Sequence, residues 1–165
     1  MATANRLAEI LTEQLEILKE LQQTLQEEQE AIVKIDTTYM ESLNTQKEQI
    51  IIRQRKTAER LHSVMAETAI QTGLPPSATL TEIINKMPTQ MREQIQPLQQ
   101  AAKQAGSSVS ALANQNRGML ERFLTVVNDS LAFILRILHT SNTYGVRGTY
   151  LSNTQAGAVM VNREA

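Results

Sequence analysis

The groups in this sequence that could support catalysis or metal binding are few: two histidines, an Asp-Ser pair, a Gly-x-x-Gly and a run of glutamates. His62 and His139 are far apart, with no cysteine and no paired carboxylates at ligand spacing around either. A metal site needs several such ligands converging, so neither histidine points to one. His139 falls near the C-terminal end of a helical stretch, where an imidazolium complements the helix dipole. Asp129, Ser130 and His139 supply the residue types of a nucleophile set, but they lie on one expected helix at a spacing that does not converge. Gly145-x-x-Gly148 is brief and follows no strand pattern, so it makes no phosphate cradle. Glu27, Glu28 and Glu30 read as a solvated helix face. This chemistry predicts a binding protein and not an enzyme, with no catalytic residues, no metal and no cofactor.

Composition narrows the class. With 165 residues, the chain is one domain or a long hairpin with appendages. Only 41% of it is hydrophobic and 3% aromatic, so aliphatic side chains and methionine must do the packing, as in thin helical assemblies. The absence of cysteine excludes disulfides and fits a reducing cytoplasm. The opening MATANRLAEILTEQLE meets acidic residues where a signal peptide needs an apolar core. The most apolar run, Leu131 to Leu138, is interrupted by Arg136 and is too short to span a bilayer, so no membrane insertion is expected. The net charge of −1 conceals an asymmetry: −6 over residues 1–46, +3 over 47–103 and +2 over 104–165. Adjacent segments of opposite sign suit two antiparallel helices. The basic cluster Arg53, Arg55, Lys56, Arg60 is diluted by Glu48 and Glu59 and lacks aromatics, which argues against nucleic acid.

The elements follow from periodicity. Leu11, Leu18, Leu25, Ile32 and Tyr39 recur at sevens, with Leu7, Leu15, Leu21 and Ile35 beside them, predicting a coiled-coil-like helix from about Ala4 to Ile35. Thr38 and Glu41 match a capping box for a second helix carrying Leu43, Ile50, Ile51, Ala58, Leu61, Met65 and Ala69. Gly73 and Pro75-Pro76 end it, so residues 4–72 read as a helical hairpin. All four prolines lie in or near a connector over 73–97, where Ser77 or Thr79 caps a short helix. Pro97 belongs either to the first turn of a long helix over 98–141 or to a kink inside an earlier one. The expected fold class is all-α: an elongated antiparallel hairpin plus a long third helix, a three- to four-helix bundle over 1–141 in one domain. Beyond it, Gly145, Gly148 and Gly157 among Ser, Thr and Asn predict a flexible tail over 142–165.

The long helix carries two apolar stripes. Leu120, Leu124, Val127, Leu131, Ile134, Leu135 and Leu138 form one; Met119, Phe123, Val126, Phe133 and Ile137 form the other. Together they span an arc of roughly 200°, about twice what an ordinary surface helix needs. Either the helix lies centrally and touches both arms of the hairpin, or one stripe is held for another protein; both can hold along different stretches.

Four features in order resemble the FlgN family of flagellar export chaperones: the leucine heptad leading to EEQEAI, the set Lys47, Ile50, Ile51 and Arg60, the run NQNRGMLE from Asn114, and NTYGVRG from Asn142. The likeness covers about residues 5–150, with Ala113 and Pro97 as departures. It implies a cytoplasmic chaperone that binds the C-terminal helical region of hook-associated, hook–filament junction proteins and prevents their premature assembly. It then delivers them to the cytoplasmic domain of the flagellar export gate, with the export ATPase complex as a further partner. Client binding is expected on Met119, Phe123, Val126, Phe133 and Ile137. By the same resemblance Tyr144 is the gate-docking residue, with Gly145 and Gly148 letting the backbone lie close. The competing reading is a structural coiled-coil protein that assembles with itself through the same arc.

Overall fold

A computed structural model describes residues 2–140 of the chain. The fold is all-α, as the sequence predicts, with four helices in order: α1 (Ala2–Lys34), α2 (Thr37–Gln71), α3 (Leu80–Lys86) and α4 (Thr89–Thr140). The chain divides into two compact units, Met1–Glu121 and Arg122–Ala165.

In the first unit α1 and α2 form the expected antiparallel hairpin, and polar contacts fix its register. Thr3 bonds Gln71, Arg6 meets Glu67 at 3.5 Å, Arg60 meets Glu13 at 2.7 Å, Arg53 meets Glu20 at 2.6 Å, and Lys47 meets Glu28. Three of these join an acidic residue of α1 to a basic residue of α2, the charge asymmetry realised side by side. Each exposed pair contributes only about 0–1 kcal/mol, so the ladder specifies alignment more than stability. In that register two buried lines stepping by seven face each other: Thr3, Ile10, Ile17, Thr24, Ala31 on α1 and Leu43, Ile50, Thr57, Val64 on α2.

These lines differ from the expected seams. On α1, Leu11, Leu25 and Ile32 are buried as predicted and Leu18 is half-buried, but Ile35, just past its end, and Tyr39, which falls on α2, are exposed. On α2, Ile51 and Ala58 face outward, and Thr57 and Val64 take the inward positions. Threonine tolerates burial here because its hydroxyl turns back on its own helix: Thr24 Oγ1 donates to the Glu20 carbonyl at 3.0 Å and Thr68 Oγ1 to that of Val64 at 2.6 Å. Thr57 instead donates to Glu13 Oε1 at 2.9 Å.

Both ends of the hairpin helices close with the same pattern. Asp36 N donates to the Ala31 carbonyl at 3.0 Å and Ile35 N to Ile32 at 3.1 Å; Leu74 N donates to Ala69 at 2.8 Å and Gly73 N to Ile70 at 3.1 Å. The residue after the cap is left-handed in each, Gly73 at φ 74 and Ile35 at φ 56. Glycine does this freely, whereas a β-branched isoleucine is strained. The start of α2 is set by Asp36, whose carboxylate accepts from Tyr39 N at 3.0 Å, and not by the expected box at Thr38 and Glu41. Aspartate one residue after the α1 closure is the first side chain able to reach the free amides.

Of the two candidate caps for the short helix, Thr79 is the one used. Its hydroxyl accepts from Glu82 N, and Glu82 Oε2 accepts from Thr79 N at 2.7 Å. The bonds that Thr79 N and, at 2.8 Å, Thr79 Oγ1 donate to Glu82 Oε2 favour the ionised carboxylate and hold its pKa below the ordinary value. The long helix begins at Thr89, nine residues earlier than expected, with Pro97 inside it and not in its first turn. Pro97 and Glu93, whose carbonyl would have accepted the missing N–H, are both exposed, which lowers the cost of a proline there. The densest core gathers all four helices: Leu7 and Ile10 from α1, Val64 and Ala69 from α2, Ile83 and Ile84 from α3, and Ile95 from α4.

Candidate functional site

The candidate surface is the stretch of α4 in the second unit. From Arg122 to Ile137 every side chain is exposed except Val127, which is half-buried. The exposed ones include large apolar groups of both stripes: Val126 at 62%, Phe133 at 62%, Leu124 at 58% and Leu135 at 54%. Phe123, Leu131, Ile134 and Ile137 are exposed as well. Neither stripe is buried over this stretch, so the exposed apolar surface is wider than the single reserved stripe that was expected. Ser130 falls within the apolar arc, yet its hydroxyl donates to the Val126 carbonyl at 2.8 Å, so it presents little unmet polarity.

Met119 stands apart from its expected companions. It is half-buried in the first unit, with its Sδ 3.8 Å from Gln29 Nε2 on α1. Phe123, Val126, Phe133 and Ile137 are the members of the set that lie open. The arc is bordered by Arg122, Asp129 and Arg136, which repeat at sevens, and Arg117 pairs with Glu121 at 2.9 Å along the helix. An exposed apolar arc about 200° wide with charge along its edge suits an amphipathic helix that brings its own apolar face. Tyr144, Gly145 and Gly148, the expected docking residues, lie outside the described residues.

Several of the residues that carried the family likeness prove structural. Lys47 and Arg60 each tie α2 to a glutamate of α1. Asn116, inside NQNRGMLE, is buried to 2% exposure and donates to the Leu25 carbonyl and to Glu28. Glu28, expected on a solvated face, is buried at 5% for this reason; Glu27 is half-buried and Glu30 is exposed as expected. Burial of a single glutamate in a run of three has no signature along the sequence, because it depends on partners from two other helices. Among the described residues no group of three His, Cys, Asp or Glu is placed to hold a metal ion. None of the described helices is long and apolar enough to cross a membrane.

The family model described as FlgN protein matches residues 1–152. The chain belongs to the FlgN family. No curated protein and no solved structure matches it. Membership gives the general role of a flagellar export chaperone, and the helical fold agrees with it. In this FlgN-family chain the most apolar helical surface is therefore exposed on a protein whose family works by binding other proteins.

Proposed function

We propose that this FlgN-family protein acts in the cytoplasm, where it binds the C-terminal helical region of hook-associated proteins, prevents their premature assembly and delivers them to the flagellar export gate. The client lies along the α4 arc, on Phe123, Val126, Phe133 and Ile137. The observation that carries this reading is the exposure of both apolar stripes between Phe123 and Ile137. Large apolar groups left in water on a stable helix represent unused burial energy, about 25 cal/mol per Å² of area covered. Export-gate docking is assigned to Tyr144 with Gly145 and Gly148. A phenol suits this task, since it brings a large apolar area and one hydroxyl with few rotors to freeze.

Separating the two tasks tests the proposal. A hook-associated protein is titrated with wild type and Tyr144→Ala, and each complex is then titrated with the cytoplasmic domain of the export gate. Client affinity stays the same, while gate affinity falls by about 2 kcal/mol, roughly thirtyfold. Equal gate affinities would remove Tyr144 from docking. Light scattering of the chaperone alone and with client distinguishes this reading from self-assembly: a monomer that becomes a one-to-one complex supports the client, and a stable homo-oligomer that ignores the client opposes it.

A further inference from the structure

Three helices of the first unit meet at one carboxylate. Glu28 on α1 accepts from Lys47 Nζ on α2 through Oε1 and from Asn116 Nδ2 on α4 through Oε2, the latter at 2.9 Å. The same amide nitrogen donates to the Leu25 carbonyl at 2.8 Å, while Asn116 Oδ1 has no protein partner. As a source of stability this is a poor arrangement. A buried ion pair about breaks even with well-packed apolar residues, and an unpaired buried carbonyl oxygen is a net cost.

Its position on α4 gives it another use. Beyond Ala105, Asn116 is the only described residue of α4 that is fully buried; Val109 and Leu112 are half-buried. Immediately after it the two stripes begin, one at Met119 and one at Leu120, about 100° apart around the helix. Both residues are half-buried, and hydrophobic burial is non-directional, so it does not decide which of them faces α1. The nearest fully buried position upstream of Asn116 is Ala105, eleven residues away, and its single methyl makes no directional contact.

We infer that the Asn116–Glu28–Lys47 node sets the rotational phase of α4 on the hairpin, selecting Met119 to face α1, and that it contributes this specificity and not net stability. Asn116 supplies the directional contact, Glu28 receives it, and Lys47 holds the carboxylate in place. The inference concerns only the first unit and stands independently of the client reading.

The chain has no cysteine, so introduced pairs report phase without background. In the full-length protein, Gln29→Cys is combined either with Met119→Cys, the observed neighbour, or with Leu120→Cys, about 100° round the helix, and disulfide formation is followed over time. With the node intact the 29–119 pair forms faster than the 29–120 pair by about tenfold or more. Replacing the node by Glu28→Leu, Lys47→Met and Asn116→Leu leaves the thermal midpoint unchanged or higher and brings the two rates within about threefold. The milder Glu28→Gln with Lys47→Met keeps an oxygen for Asn116 and retains the preference for 29–119. An apolar node that still prefers 29–119 would show that packing alone sets the phase. An apolar node that unfolds, or melts clearly lower, would make the cluster a stabilising contact. Loss of the preference in the milder variant would show that the Asn116 bond is not the selecting one. Each of these three results overturns the inference.

Discussion

The two stretches of α4 invert the usual relation between hydrophobicity and burial. Up to Glu121 the fully buried positions are Ile95, Ala105 and Asn116, a sparse and partly polar set. From Arg122 to Ile137 the helix carries two phenylalanines, three leucines and two isoleucines, and every one of them is exposed. The hairpin shows the conventional arrangement, with Leu7, Leu43 and Ile50 fully covered. The lesson is that apolar side chains in this family member serve two ends. One set is buried in the hairpin core, and the other lies exposed along α4.

The hairpin offers the largest effect by which this contrast can be broken. Leu7→Ala or Ile50→Ala should each lower unfolding free energy by about 2–5 kcal/mol, whereas Leu131→Ala should change it by about 0.5 kcal/mol or less. Denaturant titration of the three variants checks this. A comparable loss from Leu131→Ala would mean that the exposed arc is folding core after all. Next in size, Phe123→Ser with Phe133→Ser should weaken capture of a hook-associated protein by about 2 kcal/mol, roughly thirtyfold, while circular dichroism shows nearly unchanged helicity and midpoint. Binding and folding lost in step would erase the contrast.

Smaller effects sharpen it within the hairpin. Its two helix ends share one closure but differ in the left-handed residue, so opposite substitutions should have opposite signs. Ile35→Gly should stabilise by about 1 kcal/mol, and Gly73→Ala should destabilise by about the same amount. Thermal melts decide, and equal signs would show that Ile35 is not strained. The smallest effect concerns α3. Because the bonds from Thr79 lower the Glu82 pKa in the folded state, the ionised carboxylate adds stability above its unfolded pKa. That contribution is lost as pH falls through the lowered folded value. Glu82→Gln should therefore flatten the acid limb of the stability curve slightly, and an unchanged acid limb would show that the capping box carries no measurable linkage.

Legibility along the chain varied with how local the determining physics was. Gly73 before Pro75-Pro76 announced the end of α2, because a left-handed residue and a missing amide act within one turn. Ser77 or Thr79 announced the start of α3 for the same reason, and the structure picked Thr79, boxed with Glu82. The cap at Asp36 was obscured by a Thr-x-x-Glu pattern two residues later, and the α1 closure by an isoleucine where glycine is usual. The burial of Thr3 and Thr24 on α1 and of Thr57 and Thr68 on α2 was hidden because threonine scores as polar. Its hydroxyl can be satisfied by its own helix, after which it packs much like valine. Of the candidate site, the width of the apolar arc was readable from angular spacing alone, but whether it was core was not.

The sequence by itself determined the helical class, the antiparallel hairpin, the family and the apolar arc of α4, because periodicity, charge sign and turn residues act over one or two helical turns. Only the tertiary structure decided that Glu28 and Asn116 are buried, that Thr57 is a core residue, that Ile51 is not, and that both stripes beyond Arg122 remain exposed. An amphipathic face states that something must cover it, and only the arrangement of the other helices tells whether the fold itself provides that cover.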